Sequence, residues 1–174
     1  MFRVKRFKRM LAFSSMEHMA LVIISLTLGK LGVYAAILHI VLHTLTKTGL
    51  FLQFGQIRSL FNSGWFKDTG GYMKYNPFSA LVYILGLITI TAIPPSGMFV
   101  SEFLFFKALL EYKLYFIFIF IVFLLTIIIY NMFHYSIPFL FDKEPLDFKF
   151  NKSNINNFEP ISQLVLFSLV FYFA

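Results

Sequence analysis

The stretch LGVYAAILHIVLHTLTKTGLFLQFGQI, Leu31 to Ile57, decides how the rest of the chain is read. It is apolar along its length, yet it carries His39, His43 and Lys47 in its middle third. At about 1.5 Å rise per residue it reaches roughly 40 Å, more than the roughly 30 Å hydrocarbon core of a bilayer, which predicts one tilted transmembrane helix. The three ionisable residues fall at i, i+4 and i+8 and drift only about 80° around the axis, so they form one polar stripe facing one neighbour. A cation near the bilayer centre costs at least about 2.5 kcal/mol on insertion scales, so such groups face a protein interior or a wet cavity.

Composition agrees, since 59% hydrophobic, 20% aromatic and 13% charged residues describe a chain that dissolves in lipid rather than water. The 25 phenylalanines are lipid-facing and packing bulk. The net charge of +7 sits in the connections between apolar runs, where membrane topology explains it without nucleic acid. There is no cysteine, which excludes disulfides, thiolate catalysis and cysteine-ligated clusters. No cofactor is expected.

The chain opens with Arg3, Lys5, Arg6, Lys8 and Arg9 and passes into an apolar run carrying Glu17 and His18. That run has no small-residue cleavage site, so residues 10–29 are expected to stay as a first span rather than leave as a signal peptide. Gly29, Lys30 and Gly32 predict a tight turn, which makes the first two helices antiparallel neighbours. After the second span, 31–57, the Gly- and Pro-punctuated segment up to Pro77 reads as a surface loop. Residues 78–111 are too long for one straight crossing and contain Pro94, Pro95, Ser96 and Gly97, so the third span is predicted to be discontinuous. Backbone groups freed at membrane depth are tolerated where protein or water satisfies them, as in the broken helices of transporters, and Glu102 follows about two turns later. A fourth span is expected at 114–141, then a charged, Asn-rich loop, then a fifth at 160–174. At about 21 Å the last piece, from Ile161, cannot cross alone and reads as a truncated helix.

The whole of 1–174 is therefore expected to be a single transmembrane domain, all-α, with about five helices. With alternating spans, Arg3, Lys5, Arg6, Lys8, Arg9, Arg58, Lys67, Lys74, Lys143, Lys149 and Lys152 fall on one side. Lys30, Lys113 and Lys107 fall on the other. The positive-inside rule places the first group and the N terminus in the cytoplasm, with the chain in a cell's inner (cytoplasmic) membrane.

A proton path needs groups that change charge without large motion, and histidine, at a pKa of about 6.5 in water, starts near the working pH. The other reading of the stripe is an interhelical hydrogen-bonding seam that holds helices together. Glu102 reads either as a path carboxylate or as a structural partner for the broken helix. For Glu17 and His18, function and local pairing are both open. Two histidines at i, i+4 suggest a metal pair, but no third ligand stands at suitable spacing, and no metal is expected. Ser14, Ser15, Ser96 and Ser101 read as backbone caps or water-lining groups, since no base stands beside them for hydrolysis. His134, beside Tyr135 near a helix end, reads as an interfacial or packing residue.

Three motifs in order, KRMLAFSSMEHMA (Lys8 to Ala20), HIVLHTLTKTGLF (His39 to Phe51) and PPSGMFVSEF (Pro94 to Phe103), resemble the antiporter-like membrane subunits of respiratory complex I and membrane-bound hydrogenases. The Glu-His pair in SSMEHM is most similar to component F of hydrogenase-4. Members of that family have about 14 spans, including two inverted five-helix repeats, and the chain resembles the second repeat with the start of the final helix. The resemblance implies that Lys47 is the buried lysine of the central polar axis, that His39 and His43 are its relay neighbours, and that Glu102 is the broken-helix carboxylate near the proton exit. It also implies other membrane subunits of a respiratory NADH dehydrogenase-like or hydrogenase complex as partners, with protons or Na+ as the ion. Any oxidoreductase activity would belong to the complex, with no redox centre in this chain. Two alternatives stay open: one component of a multi-subunit cation/proton antiporter, and a non-conducting structural part.

Overall fold

The computed structural model describes residues 6–142 and 158–172. The expectations for Arg3, Lys5, Lys143, Lys149 and Lys152, and for most of the Asn-rich connection, lie outside the described residues. Among the described residues seven α-helices follow one another: α1 (Phe7–Leu26), α2 (Gly29–Phe61), α3 (Tyr72–Tyr75), α4 (Pro77–Ile90), α5 (Gly97–Glu111), α6 (Tyr115–Phe141) and α7 (Phe158–Tyr172). The described residues hold no strand, only one isolated bridge between Arg6 and Trp65. This is an all-α membrane protein, and α1, α2 and α6 are each long and apolar enough to cross a bilayer.

α2 outruns the stretch that announced it at both ends, because Gly29 starts the helix instead of breaking it. The turn is made by Thr27 and Leu28, whose amides donate back to Ile24 and Ser25. At the far end Asn62 takes a left-handed conformation, φ 49°, and stops the helix. Contacts across the α1–α2 hairpin run in strict antiparallel order. Ser25 Oγ donates to the Gly32 carbonyl, His18 meets His39, Lys47 reaches Leu11, and Phe7 packs on Phe54.

The third apolar segment is broken as Pro94 and Pro95 require. Ala92 is left-handed at φ 51°, α4 ends at Ile90, and α5 restarts at Gly97 with the Ser96 hydroxyl capping the Phe99 amide at 3.3 Å. α4 and α5 together run beside α2, from Gln53 opposite Ser79 to His39 opposite Ser101. Gly97 lets the start of α5 approach α7: a Cβ there would collide with the Val170 carbonyl.

The segment between α2 and α4 is not the surface loop that its glycines suggest. It forms a 3₁₀ turn at Phe66–Asp68 and then α3, and it folds back so that Tyr72 is fully buried against Phe61 and Phe139. Glycine marks where the chain turns but not whether the turn is solvated, and a large aromatic side chain beside it decides the matter. This segment also pins the start of α1, with the Phe7 amide on the Gly64 carbonyl and Arg6 stacked 4.2 Å over Trp65.

Candidate functional site

His43 and Lys47 face α1 from α2 while His39 sits between α1 and α5, so the stripe meets two neighbours where its spacing predicts one; all three residues are buried. Lys47, only 6% exposed, donates from Nζ to the Leu11 carbonyl at 2.7 Å. That carbonyl also takes the Ser15 hydroxyl, so the ammonium is held by backbone rather than by a dedicated counter-ion.

His18, from α1, is the hub. Its Nδ1 lies 3.1 Å from His39 Nε2 and 3.8 Å from Glu102 Oε1, and its ring sits 5.0 Å from that of His43. On the far side His39 Nδ1 stands 2.9 Å from Ser101 Oγ. Buried atoms are left unpaired along the same line: Ser14 Oγ, Glu17 Oε1 and His43 Nε2. Unsatisfied groups at such depth mark places where water or a moving proton completes the bonding.

Two small cavities fit that role and share Glu102 as a wall. One is lined by Ser14, Glu17, His18 and Thr91; the other by Ser25, His39 and Ser101. Each has room for about one water between polar groups.

Thus α1, α2 and α5 bring Glu17, His18, His39, His43, Lys47 and Glu102 into one buried seam at the helix break. His134 stands apart on α6, exposed, between the rings of Tyr130 and Tyr135. Three atoms of His18, His39 and Glu102 lie within 4.8 Å of one another, a grouping able to ligate a metal. This differs from the His39/His43 pairing that spacing alone suggests. The hydrogen bond between the two imidazoles already accounts for their approach. Ser101 and Ser14 were not marked as path groups by sequence reasoning; the one available signal was the serine immediately before Glu102.

A multi-pass helical membrane protein with titratable side chains buried in series beside a broken helix defines a class of ion-handling membrane subunits. The chain belongs to the NADH:quinone oxidoreductase/Mrp antiporter transmembrane family, whose profile matches residues 3–128. It is similar to a hydrogenase-4 component F homolog of Methylacidiphilum infernorum, 34% identical over 98 residues, covering 56% of this chain and 21% of the relative. It is also similar to a Na(+)/H(+) antiporter subunit of Alkalihalophilus pseudofirmus, 31% identical, with 63% of this chain and 15% of the relative covered. NADH-quinone oxidoreductase subunit N 2 of Rhizobium meliloti is 31% identical, with 60% and 22% covered. The chain therefore spans about a fifth of the length of these relatives.

Proposed function

We propose that this chain belongs to a proton-translocating membrane subunit of a respiratory NADH dehydrogenase-like or hydrogenase complex, moving protons by charge relay along Lys47, His43, Glu17, His18, His39 and Glu102. The observation that carries this reading is the convergence of six ionisable side chains from three helices on one buried seam with cavities on both sides of Glu102. A buried lysine that served only to hold helices would be a costly choice, since a hydroxyl or amide does that work without a charge. Lys47 rests on a carbonyl that cannot take its proton, so exchange runs to water or to the titratable side chains of the seam, of which His43 stands one turn away on the same helix.

Other membrane subunits and lipid are the partners of this reading. The exposed apolar side chains of α6, Phe116, Ile119, Phe120 and Phe123 among them, suit either. The basic end bearing Arg6, Lys8, Arg9 and Arg58 would face the cytoplasm from an inner membrane. A cation/proton antiporter is the second reading, favoured by the likeness to a Na(+)/H(+) antiporter component.

The test is proton flux in sealed vesicles carrying the assembled complex, with and without sodium. Lys47→Ala is expected to lower flux by about 100-fold while assembly persists. Unchanged flux would remove Lys47 from the path, loss of the assembled complex would make it structural, and obligatory sodium would transfer the chain to the antiporter class.

A further inference from the structure

We infer that Ser101 is a positioning residue whose hydroxyl sets the tautomer of His39 and so aims the His39 Nε2 lone pair at His18. The assignment follows from counting protons. A serine hydroxyl carries one, and Ser101 Oγ donates it to the Met98 carbonyl at 2.8 Å, a group that can only accept. Towards His39 Nδ1, 2.9 Å away, the same oxygen must then accept, which places the N–H of His39 on Nδ1. A neutral imidazole has one N–H, so Nε2 is bare, and the 3.1 Å contact with His18 Nδ1 has to be filled by a proton from His18. A backbone carbonyl thereby dictates polarity through three side chains. Ser101, His39 and His18 are all buried, so bulk water does not compete for these bonds.

The consequence for proton movement rests on the relay reading above. When the histidine pair holds one excess proton, the N–H bond at His18 Nδ1 breaks as one at His39 Nε2 forms. His39 keeps its other proton on Ser101, and His18 keeps its other proton on the second ring nitrogen. The charge of the pair is unchanged and no heavy atom has to move. His39 holds its Nδ1 proton on Ser101 and has no onward acceptor, so the excess proton returns to His18 Nδ1, 3.8 Å from Glu102 Oε1, and leaves from there for a Glu102 carboxylate, which becomes the carboxyl while the histidine pair is left neutral. With the opposite tautomer, two N–H groups would face each other and the hand-off would stop. The Met98 carbonyl ends the chain of bonds, so Ser101 orients the relay without carrying the proton onward.

The experiment is ¹⁵N NMR of the full-length, histidine-labelled protein in bilayers, with His39 identified by difference from His39→Gln, alongside proton flux of the same variants. The wild type is expected to show His39 protonated on Nδ1. Ser101→Ala should shift the tautomer ratio by roughly fivefold towards Nε2–H, the equivalent of a hydrogen bond of about 1 kcal/mol, and Ser101→Thr should restore it. A wild-type His39 with its proton on Nε2, or a ratio indifferent to Ser101→Ala, overturns the assignment, and the wild-type spectrum alone suffices if the variant fails to fold. Flux separates the two ideas. A shifted tautomer with reduced flux supports both, whereas a shifted tautomer with unchanged flux keeps the tautomer assignment and overturns the part given to this pair in proton transfer.

Discussion

The two ends of α2 are packed in opposite ways. From Leu50 to Phe61 the helix enters an aromatic body in which Phe7, Phe54, Phe61, Tyr72, Tyr83 and Phe139 pack against one another, mostly edge-on or tilted, and Phe167 fills the space left by Gly49 and Gly86. From His39 to Lys47 the same helix lines a seam with cavities and unpaired atoms. Both regions leave some buried polar atoms unmet, but they differ in kind. Around the aromatic body these belong to groups that do not titrate, such as Gln53 Oε1, Asn76 Nδ2 and Ser79 Oγ; in the seam they include Glu17 and His43. On the relay reading proposed above, a rigid body holds the ends of helices whose middle parts exchange protons. If this division is real, substitutions in the aromatic body should change stability and spare flux, and substitutions in the seam should do the reverse.

The largest effect is expected at Phe167, 1% exposed and wedged against both glycines. Truncation to Ala forfeits packing that lipid cannot replace in a closed cavity, though hydrophobic transfer contributes little where the surroundings are equally apolar. We expect about 3 kcal/mol of lost stability, the low end of the usual cost of a Phe→Ala cavity. This would be read from the unfolding midpoint, with flux per folded complex unchanged. A large loss of flux at constant stability would show that the body takes part in transport.

The polar stripe was legible in the sequence because helical spacing fixes a face whatever the fold, and the break was legible because proline removes backbone donors wherever it stands. Which face α1 turns to that stripe was not. Glu17 and His18 are adjacent in sequence, so periodicity cannot say that His18 would be the hub; only the antiparallel register, set by Thr27 and Leu28 rather than by the glycines after them, brings it to His39. Ser101 was invisible for a related reason. Its meaning lies in which way one hydroxyl proton points, and that depends on a carbonyl one turn back and an imidazole from another helix. Tyr72 escaped because a glycine-rich neighbourhood looks solvated until an aromatic ring is seen to bury it.

A smaller effect, on the seam side, is expected from Glu102→Gln, which keeps the shape of the side chain and removes its ability to ionise. Proton flux should fall by about tenfold, equivalent to about 1.4 kcal/mol on the barrier. Insertion and unfolding midpoint should stay at wild-type values, because the carboxylate makes no short hydrogen bond that the amide would forfeit; its nearest cation partner, His18, is 3.8 Å away. Unchanged flux would take Glu102 off the path and leave the two cavities that it separates without a function.

The smallest effect, and the sharpest test of the division, is Tyr83→Phe. Tyr83 is fully buried and its hydroxyl meets Ser136 Oγ at 2.9 Å, tying α4 to α6 well away from the histidines. Removing it leaves the serine hydroxyl buried, a cost of about 1 kcal/mol in water-soluble proteins and nearer 0.6 kcal/mol for hydrogen bonds between transmembrane helices. The unfolding midpoint should drop slightly, and Ser136→Ala added on top should recover part of the loss, since the pair is then absent rather than half-made. Flux should not change in either variant. If Tyr83→Phe slowed flux as much as Glu102→Gln, the two ends of α2 would be one coupled device, in which the α4–α6 contact controls the helix break rather than merely supporting it.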